Sequence, residues 1–226
     1  MNILSIETSS SVAGAAVLRD GKLAAEQYLD HRLTHSEIIM PMVQRVLEMA
    51  ELTCAEMDAF AVDVGPGSFT GVRIGVSAVN GMADALKKDV IPVDSLEAMA
   101  FGFPYFCGLV VPLIDARNEQ VYTACYDTSA GEPKRVGKRF AGNIRDFLLK
   151  LPKGQSVVFL GDGAHAHREL IQSYFPEAVF APAHLDRPRA GAIAALAQIR
   201  LIRGETAPSA LPLYLRAPQA EQKKSR

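Results

Sequence analysis

Between Ala59 and Lys87 the chain changes character twice, and this stretch restricts the possible folds more than any other. A short apolar run rich in β-branched residues, ending at Val64, reads as a buried strand. Gly65, Pro66 and Gly67 interrupt it, because a turn this tight is costly for a residue carrying a Cβ. Ser68 and Thr70 suit a helix N-cap, with Phe69 between them. From about Gly71, the residues Val72, Val76, Val79, Met82, Ala83 and Leu86 recur at helical spacing, and Lys87 and Lys88 complement the C-terminal dipole. The prediction is strand, glycine turn, helix.

Two physical readings fit that turn. One is an anion cradle, since free N–H groups at a helix N-terminus attract phosphate or carboxylate. The glycines at 65, 67 and 71 do not match G-x-G-x-x-G, however, and no Gly-Lys-Ser/Thr follows. The other reading is close packing. Gly71 and Gly75 share a face, while Ser77, Gly81 and Ala85 form a second small-residue line. Each interior glycine costs roughly 1 kcal/mol of helix stability relative to alanine, which the close approach of another backbone would offset. Packing is the favoured reading. Spacing alone leaves open whether the neighbour belongs to this chain or to another.

Composition narrows the class. The chain has 226 residues, 49% hydrophobic and 22% charged, enough for one large or two small domains with a sizeable core. Its first residues, Met1-Asn-Ile-Leu-Ser-Ile-Glu7, lack the basic region of a signal peptide, and no apolar run is long enough for a membrane span. A cytoplasmic protein is expected. Cys54, Cys107 and Cys125 are far apart and read as reduced thiols. With 24 basic and 25 acidic residues the net charge is −1, which gives no sign of a nucleic-acid-binding face. The local groups Lys134, Arg135, Lys138, Arg139 and Lys223-Lys224-Ser-Arg226 read as solvated surface.

Along the chain, 2–7, 11–18 and 22–29 read as strands, with a hairpin at Asp20-Gly21. Between the first two, Glu7-Thr-Ser-Ser-Ser11 reads as a turn bonding its own backbone, although such a cluster could also hold phosphate. His31 and His35 have metal-competent spacing but no third ligand beside them. Thr34-His-Ser-Glu37 has the form of a capping box that opens a helix over 35–51, with Pro41 either kinking it or marking its start. Ile39, Met42, Val43, Val46, Leu47 and Ala50 make its apolar stripe. A strand at 90–93 leads to a short helix capped by Ser95, and Gly102-Phe-Pro104 marks a lobe boundary. Strands at 109–114, 120–126, 134–140 and 156–160 follow, with helices over 142–151 and 164–174. A long helix runs from about 188 to 203, and the polar tail beyond Arg216 is expected to be disordered. These elements predict two α/β lobes, 1–102 and 103–226, with the last long helix free to cross back to the first lobe.

The run Val64-Gly-Pro-Gly-Ser-Phe-Thr-Gly-Val-Arg-Ile-Gly75 resembles the signature of the TsaB (YeaZ) family. Ile3 to Ser9, His35-Ser-Glu37, Ile114-Asp-Ala-Arg117 with Glu119 to Tyr122, Gly161-Asp-Gly163 and Pro212-Leu-Tyr-Leu-Arg216 resemble further family markers in the same order. The resemblance implies an actin-like, sugar-kinase-like (ASKHA) α/β fold of two related lobes. It implies a non-catalytic subunit that supports threonylcarbamoyl transfer to the adenosine beside the tRNA anticodon. Its implied partners are a TsaD-type transferase and a TsaE-type ATPase, with a homodimer when alone, no membrane, and tRNA reached only indirectly.

The paralogous transferase carries a metal-binding His-x-x-x-His after the glycine helix and the next strand; here Ser95 and Met99 stand at those places, so no metal site or catalytic residue is expected. No cofactor of its own is implied, a nucleotide being expected only at the partner interface. The resemblance assigns Ile39, Met42, Val43, Val46, Gly71, Arg73, Gly75, Ala78 and Met82 to that interface, so that Gly75→Leu would block the partner without unfolding the chain. Glu7 stands where phosphotransferases of this fold carry an Asp-x-Gly-Thr/Ser run, which weakens a phosphate role. The alternative is an ATP-dependent phosphotransferase or metallopeptidase-like enzyme of the same fold; a third is a stand-alone binding module acting as a homodimer.

Overall fold

In the computed structural model, residues 1–30 and 34–216 are described. His31 and the polar tail beyond Arg216 lie outside them. The chain forms two compact units: Met1–Ala98 with Pro188–Leu213, and Met99–Arg187 with the described residues from Tyr214.

The first unit opens with β1 (Asn2–Glu7), β2 (Val12–Arg19) and β3 (Lys22–Asp30), an antiparallel meander. Asp20 and Gly21 both have positive φ, 51° and 77°, the geometry favoured in a two-residue hairpin turn. Next come α1 (His35–Met49), β4 (Ala59–Asp63), α2 (Phe69–Leu86), β5 (Asp89–Val93) and α3 (Ser95–Ala100). β4 and β5 extend the sheet in parallel, giving the order β3-β2-β1-β4-β5.

β1 is covered on both sides, so its burial is continuous rather than alternating. Leu4 and Ile6 join the core under α1 and α2. On the other side, the Ser5 hydroxyl donates to the carbonyl of Ala190, at the start of the last helix, over 2.7 Å. That helix, α7 (Ala190–Ile202), packs on β1, β2, β4 and β5 of this unit. It is apolar almost all round, as a helix buried along much of its surface should be.

Three local expectations change. Thr34 precedes α1, but its side chain caps nothing; the Glu37 N–H bonds the Thr34 carbonyl instead, at 3.0 Å. Pro41 sits inside α1 rather than at its start. Asp94, not Ser95, caps α3: its Oδ1 accepts from the N–H of Leu96 at 2.7 Å and of Glu97 at 3.3 Å. The Ser95 hydroxyl is engaged elsewhere.

The second unit repeats the pattern. β6 (Leu109–Asp115), β7 (Gln120–Asp127), β8 (Lys134–Asn143), α4 (Ile144–Lys150), β9 (Val157–Leu160), α5 (Asp162–Ala166), α6 (Arg168–Tyr174) and β10 (Val179–Phe180) precede α7 in the chain. Its sheet order is β10-β9-β6-β7-β8, the same succession of an antiparallel meander plus two parallel strands. The helix expected over 164–174 is two helices broken at His167, which has φ −118° and ψ 23°. β10, only two residues long, is too short to carry a periodic signal.

Candidate functional site

The glycine turn folds against the turn after β1. Gly65 has φ +97° and is joined to Pro66 by a cis peptide. A Cβ on Gly67 would lie 2.1 Å from the Ser9 carbonyl oxygen, and one on Gly71 would lie 2.0 Å from that of Thr8. One on Gly75 would meet Thr8 Oγ1 at 2.4 Å. Contacts that short exclude any side chain, so all three glycines are required by their own lobe.

Hydrogen bonds complete the junction. The Ser68 N–H donates to the Ser9 carbonyl at 2.6 Å, and the Thr8 hydroxyl to the Gly71 carbonyl at 2.8 Å. The Gly71 N–H goes to Ser68 Oγ at 3.2 Å, and that of Val72 to the Ser68 carbonyl at 2.9 Å. The Ser9 carbonyl thus satisfies the Ser68 N–H, and Ser68 satisfies those of Gly71 and Val72, so these three donors are not left for an anion. Close packing is the correct reading, and the neighbour is this chain's own β1 turn.

Beneath the turn lies a buried acid pair. Glu7, at the end of β1, and Asp63, at the end of β4, are both 0% exposed. The Ser9 hydroxyl lies 2.9 Å from Glu7 Oε1 and 3.0 Å from Asp63 Oδ2. Asp63 Oδ1 accepts from the Ser95 hydroxyl at 2.5 Å and the Gly65 N–H at 2.7 Å. Glu7 Oε2 has no hydrogen-bond partner. Burial, and then the charge of Asp63, push the Glu7 carboxyl well above its usual value. Burial raises Asp63 as well, while its hydroxyl and amide donors pull it back. Both carboxyls are therefore held above their ordinary values, Glu7 the more strongly, because two carboxylates this close in a dry site resist being charged together. Sequence reading missed Asp63; the signal was a lone acid inside the apolar run Ala59-Phe-Ala-Val-Asp-Val64.

The residues expected at a partner interface divide by face. Ile39, Met42, Val43 and Val46 are at most 4% exposed and belong to the core of their own unit, so their area is already used. Gly71 and Gly75 also point inward. The sequence held this signal, since Gly75 lies three residues after Val72 and four before Val79 on the apolar stripe. Gly75→Leu would therefore drive a side chain into Thr8 and disrupt the monomer, contrary to the expectation above.

Arg73 is exposed, its guanidinium 3.8 Å from the centroid of the half-buried Phe69 ring, while Ala78 and Met82 are half-buried. Thr70 is exposed and Pro66 buried. Ser77, Gly81 and Ala85 face outward, and nothing lies within 4 Å of a Cβ on Gly81. On α1 the exposed apolar side chains are Met40 and Met49.

His35 Nε2 pairs with the Val12 carbonyl at 3.0 Å. Met99 is buried, its Cε 3.0 Å from where a Gly161 Cβ would sit. Among the described residues no three His, Cys, Asp or Glu side chains cluster as a metal site would need.

Comparison with known proteins places this architecture. The tRNA threonylcarbamoyladenosine biosynthesis protein TsaB of Bacillus subtilis (strain 168) is 33% identical over 225 residues, covering 99% of this chain and 97% of the relative. The chain belongs to the TsaB family. The Escherichia coli (strain K12) TsaB is 38% identical over 128 residues, 56% of this chain and 55% of that one. A family profile described as "TsaD: tRNA N6-adenosine threonylcarbamoyltransferase" matches residues 31–224 of this chain.

Among solved structures, YeaZ from Pseudomonas aeruginosa superposes with a TM-score of 0.79 at 29% identity, covering 95% of this chain and 99% of that one. An activator of 2-hydroxyisocaproyl-CoA dehydratase from Clostridium difficile matches with a TM-score of 0.51 at 10% identity, over 91% of this chain and 97% of that one, a likeness of fold alone. The chain thus has the expected actin-like, sugar-kinase-like α/β fold. No described helix is long and apolar enough to cross a membrane.

Proposed function

We propose that this chain is a non-catalytic scaffold subunit in tRNA threonylcarbamoyladenosine synthesis. It pairs with a TsaD-type transferase through the outward faces of α1 and α2, supports its transfer of threonylcarbamoyl to the adenosine beside the anticodon, and helps form the docking site of a TsaE-type ATPase. Alone, the same faces pair two copies. The observation that carries the reading is the filled cradle. The Ser9 carbonyl takes the Ser68 N–H and Ser68 takes those of Gly71 and Val72, while the backbone of Thr8 and Ser9 closes over Gly67 and Gly71, so these N–H groups are not offered to a phosphate.

Two further observations support it. The Ser95 hydroxyl is committed to Asp63, and a buried methionine stands at 99, so neither position offers an imidazole to a metal. The outward line of Ser77, Gly81 and Ala85 offers a thin helix edge on α2, and α1 leaves the adaptable side chains of Met40 and Met49 exposed.

Reconstitution tests the reading. Transferase, ATPase and the adenylate-forming enzyme should modify tRNA efficiently only with this chain present, and the isolated chain should turn over nothing. Full modification in its absence, or turnover of the adenylate by this chain alone, overturns the proposal. Tight binding of ATP and Mg²⁺ by the isolated chain in calorimetry would favour the phosphotransferase alternative.

A further inference from the structure

β8 is an edge strand, paired on one side with β7 and lying at the end of its sheet. It reads Lys-Arg-Val-Gly-Lys-Arg-Phe-Ala-Gly-Asn, four cations in its first six residues and no acid anywhere along it. Its register breaks between the Thr123–Phe140 and Cys125–Val136 pairs, where Gly137 (φ +80°), Lys138 and Arg139 form a bulge.

The pairing spreads the charges over the rim. Lys134 stands opposite Asp127, and Arg135 opposite Tyr126 on the other face, while Lys138 projects from the bulge. Residues 134–138 are all exposed. Lys150 of α4 extends the band, its Nζ 5.9 Å from the Phe140 ring centroid. Among the described residues, no ion pair involves Lys134, Arg135, Lys138 or Lys150. The acids closest in sequence and pairing are Glu119, Asp127, Glu132 and Asp146, fewer than the five cations Lys134, Arg135, Lys138, Arg139 and Lys150. In a chain of net charge −1, this one strand carries four of the 24 lysines and arginines.

A lysine or a bulge alone protects a sheet edge from strand addition. β8 has both, and more cations than that role needs. We propose that the β8 rim is a docking surface for the sugar–phosphate backbone of the tRNA substrate, contacting it electrostatically and without reading its bases. The inference rests on the function proposed above and goes beyond it, since the sequence alone suggested only indirect contact with tRNA. Lys134, Arg135 and Lys138 are the groups positioned to release counterions, each neutralising about one phosphate.

The test uses the assembled complex of this chain with its transferase partner and a fluorescently labelled, unmodified tRNA, with anisotropy measured across a salt series. The triple variant Lys134→Gln, Arg135→Gln, Lys138→Gln keeps long polar side chains on the edge. It should weaken binding about tenfold or more and reduce the slope of log K against log salt by about 3. The double variant Lys134→Arg, Lys138→Arg should bind as the parent does. Should the triple variant fail to fold, each single Gln variant should show part of the loss in both affinity and slope. A folded triple variant, or a full set of single variants, with the parent's affinity and slope overturns the proposal and leaves edge protection as the role of the charges. Failure of the underlying function would look different: tRNA modification would proceed unchanged when the parent chain is omitted.

Discussion

The carbonyl oxygen of Thr8 lies 2.0 Å from where a Cβ on Gly71 would sit, while nothing lies within 4 Å of one on Gly81, ten residues along the same helix. Two glycines of one helix therefore answer to opposite demands. Gly71→Ala pushes a methyl group into backbone that cannot rotate away and should cost about 3 kcal/mol or more. Gly81→Ala meets only solvent and should stabilise the chain by about 0.5–1 kcal/mol through helix propensity. Urea unfolding of the two variants should give changes of opposite sign.

The same asymmetry separates stability from pairing. Gly81→Leu should leave the chain folded but abolish both its self-pairing and its co-purification with the transferase partner, because it thickens the outward edge of α2, so its melting temperature should fall only by what self-pairing contributes. Gly75→Leu should lower the melting temperature strongly, through its clash with Thr8 Oγ1 at 2.4 Å. Retention of the partner by a folded Gly81→Leu variant would move the interface elsewhere.

The Glu7–Asp63 pair predicts a pH dependence. The folded state keeps the Glu7 proton where the unfolded chain, with a value near 4.5, has lost it. Stability from this group is fully present below that value and falls as pH rises towards the raised folded value, by about 1.4 kcal/mol per pH unit within the window. Glu7→Gln, which presents an amide donor in place of the acid proton, should flatten this slope, so that the variant gains on the parent as pH rises. Denaturation midpoints across pH measure the difference.

Arg200 of α7 joins α3. Its Nη2 donates to both carboxylate oxygens of Glu97 at 2.7 Å, and its Nη1 bonds the Pro92 carbonyl at the end of β5. Both side chains are about one-fifth exposed. Arg200→Ala should cost about 2 kcal/mol, since Glu97 and a carbonyl lose their partner in a partly dry site. Glu97→Gln, which keeps one acceptor, should cost less in the same unfolding assay.

Thiol chemistry gives an independent check of burial. Cys107 is exposed, whereas burial pushes Cys125 up to about 11 and raises Cys54 more modestly. At pH 8 a thiol-reactive dye should label Cys107 fast in the native protein, and the other two only on unfolding. Fast labelling of Cys125 would contradict the packing of β7.

Local chemistry explains what was readable from the chain. The Asp20-Gly21 hairpin, the Ser68 cap, the stripe of Val72, Val76 and Val79, and the alternation of strands with helices each depend on neighbours a few residues away, and the resemblance to the TsaB family rests on short ordered motifs of the same kind. Direction depends on more distant residues. Gly71–Gly75 and Ser77–Gly81 are equivalent small-residue lines in sequence, and only the docking of the β1 turn makes the first a packing requirement and leaves the second open. Glu7 and Asp63 are 56 positions apart and become one buried acid pair only because β1 and β4 lie side by side in the sheet. The four cations of β8 read as ordinary surface until the sheet order places their strand on a rim. Torsional preference and periodicity act within a few residues, whereas steric exclusion, desolvation and charge pairing act between atoms that only the folded chain brings together.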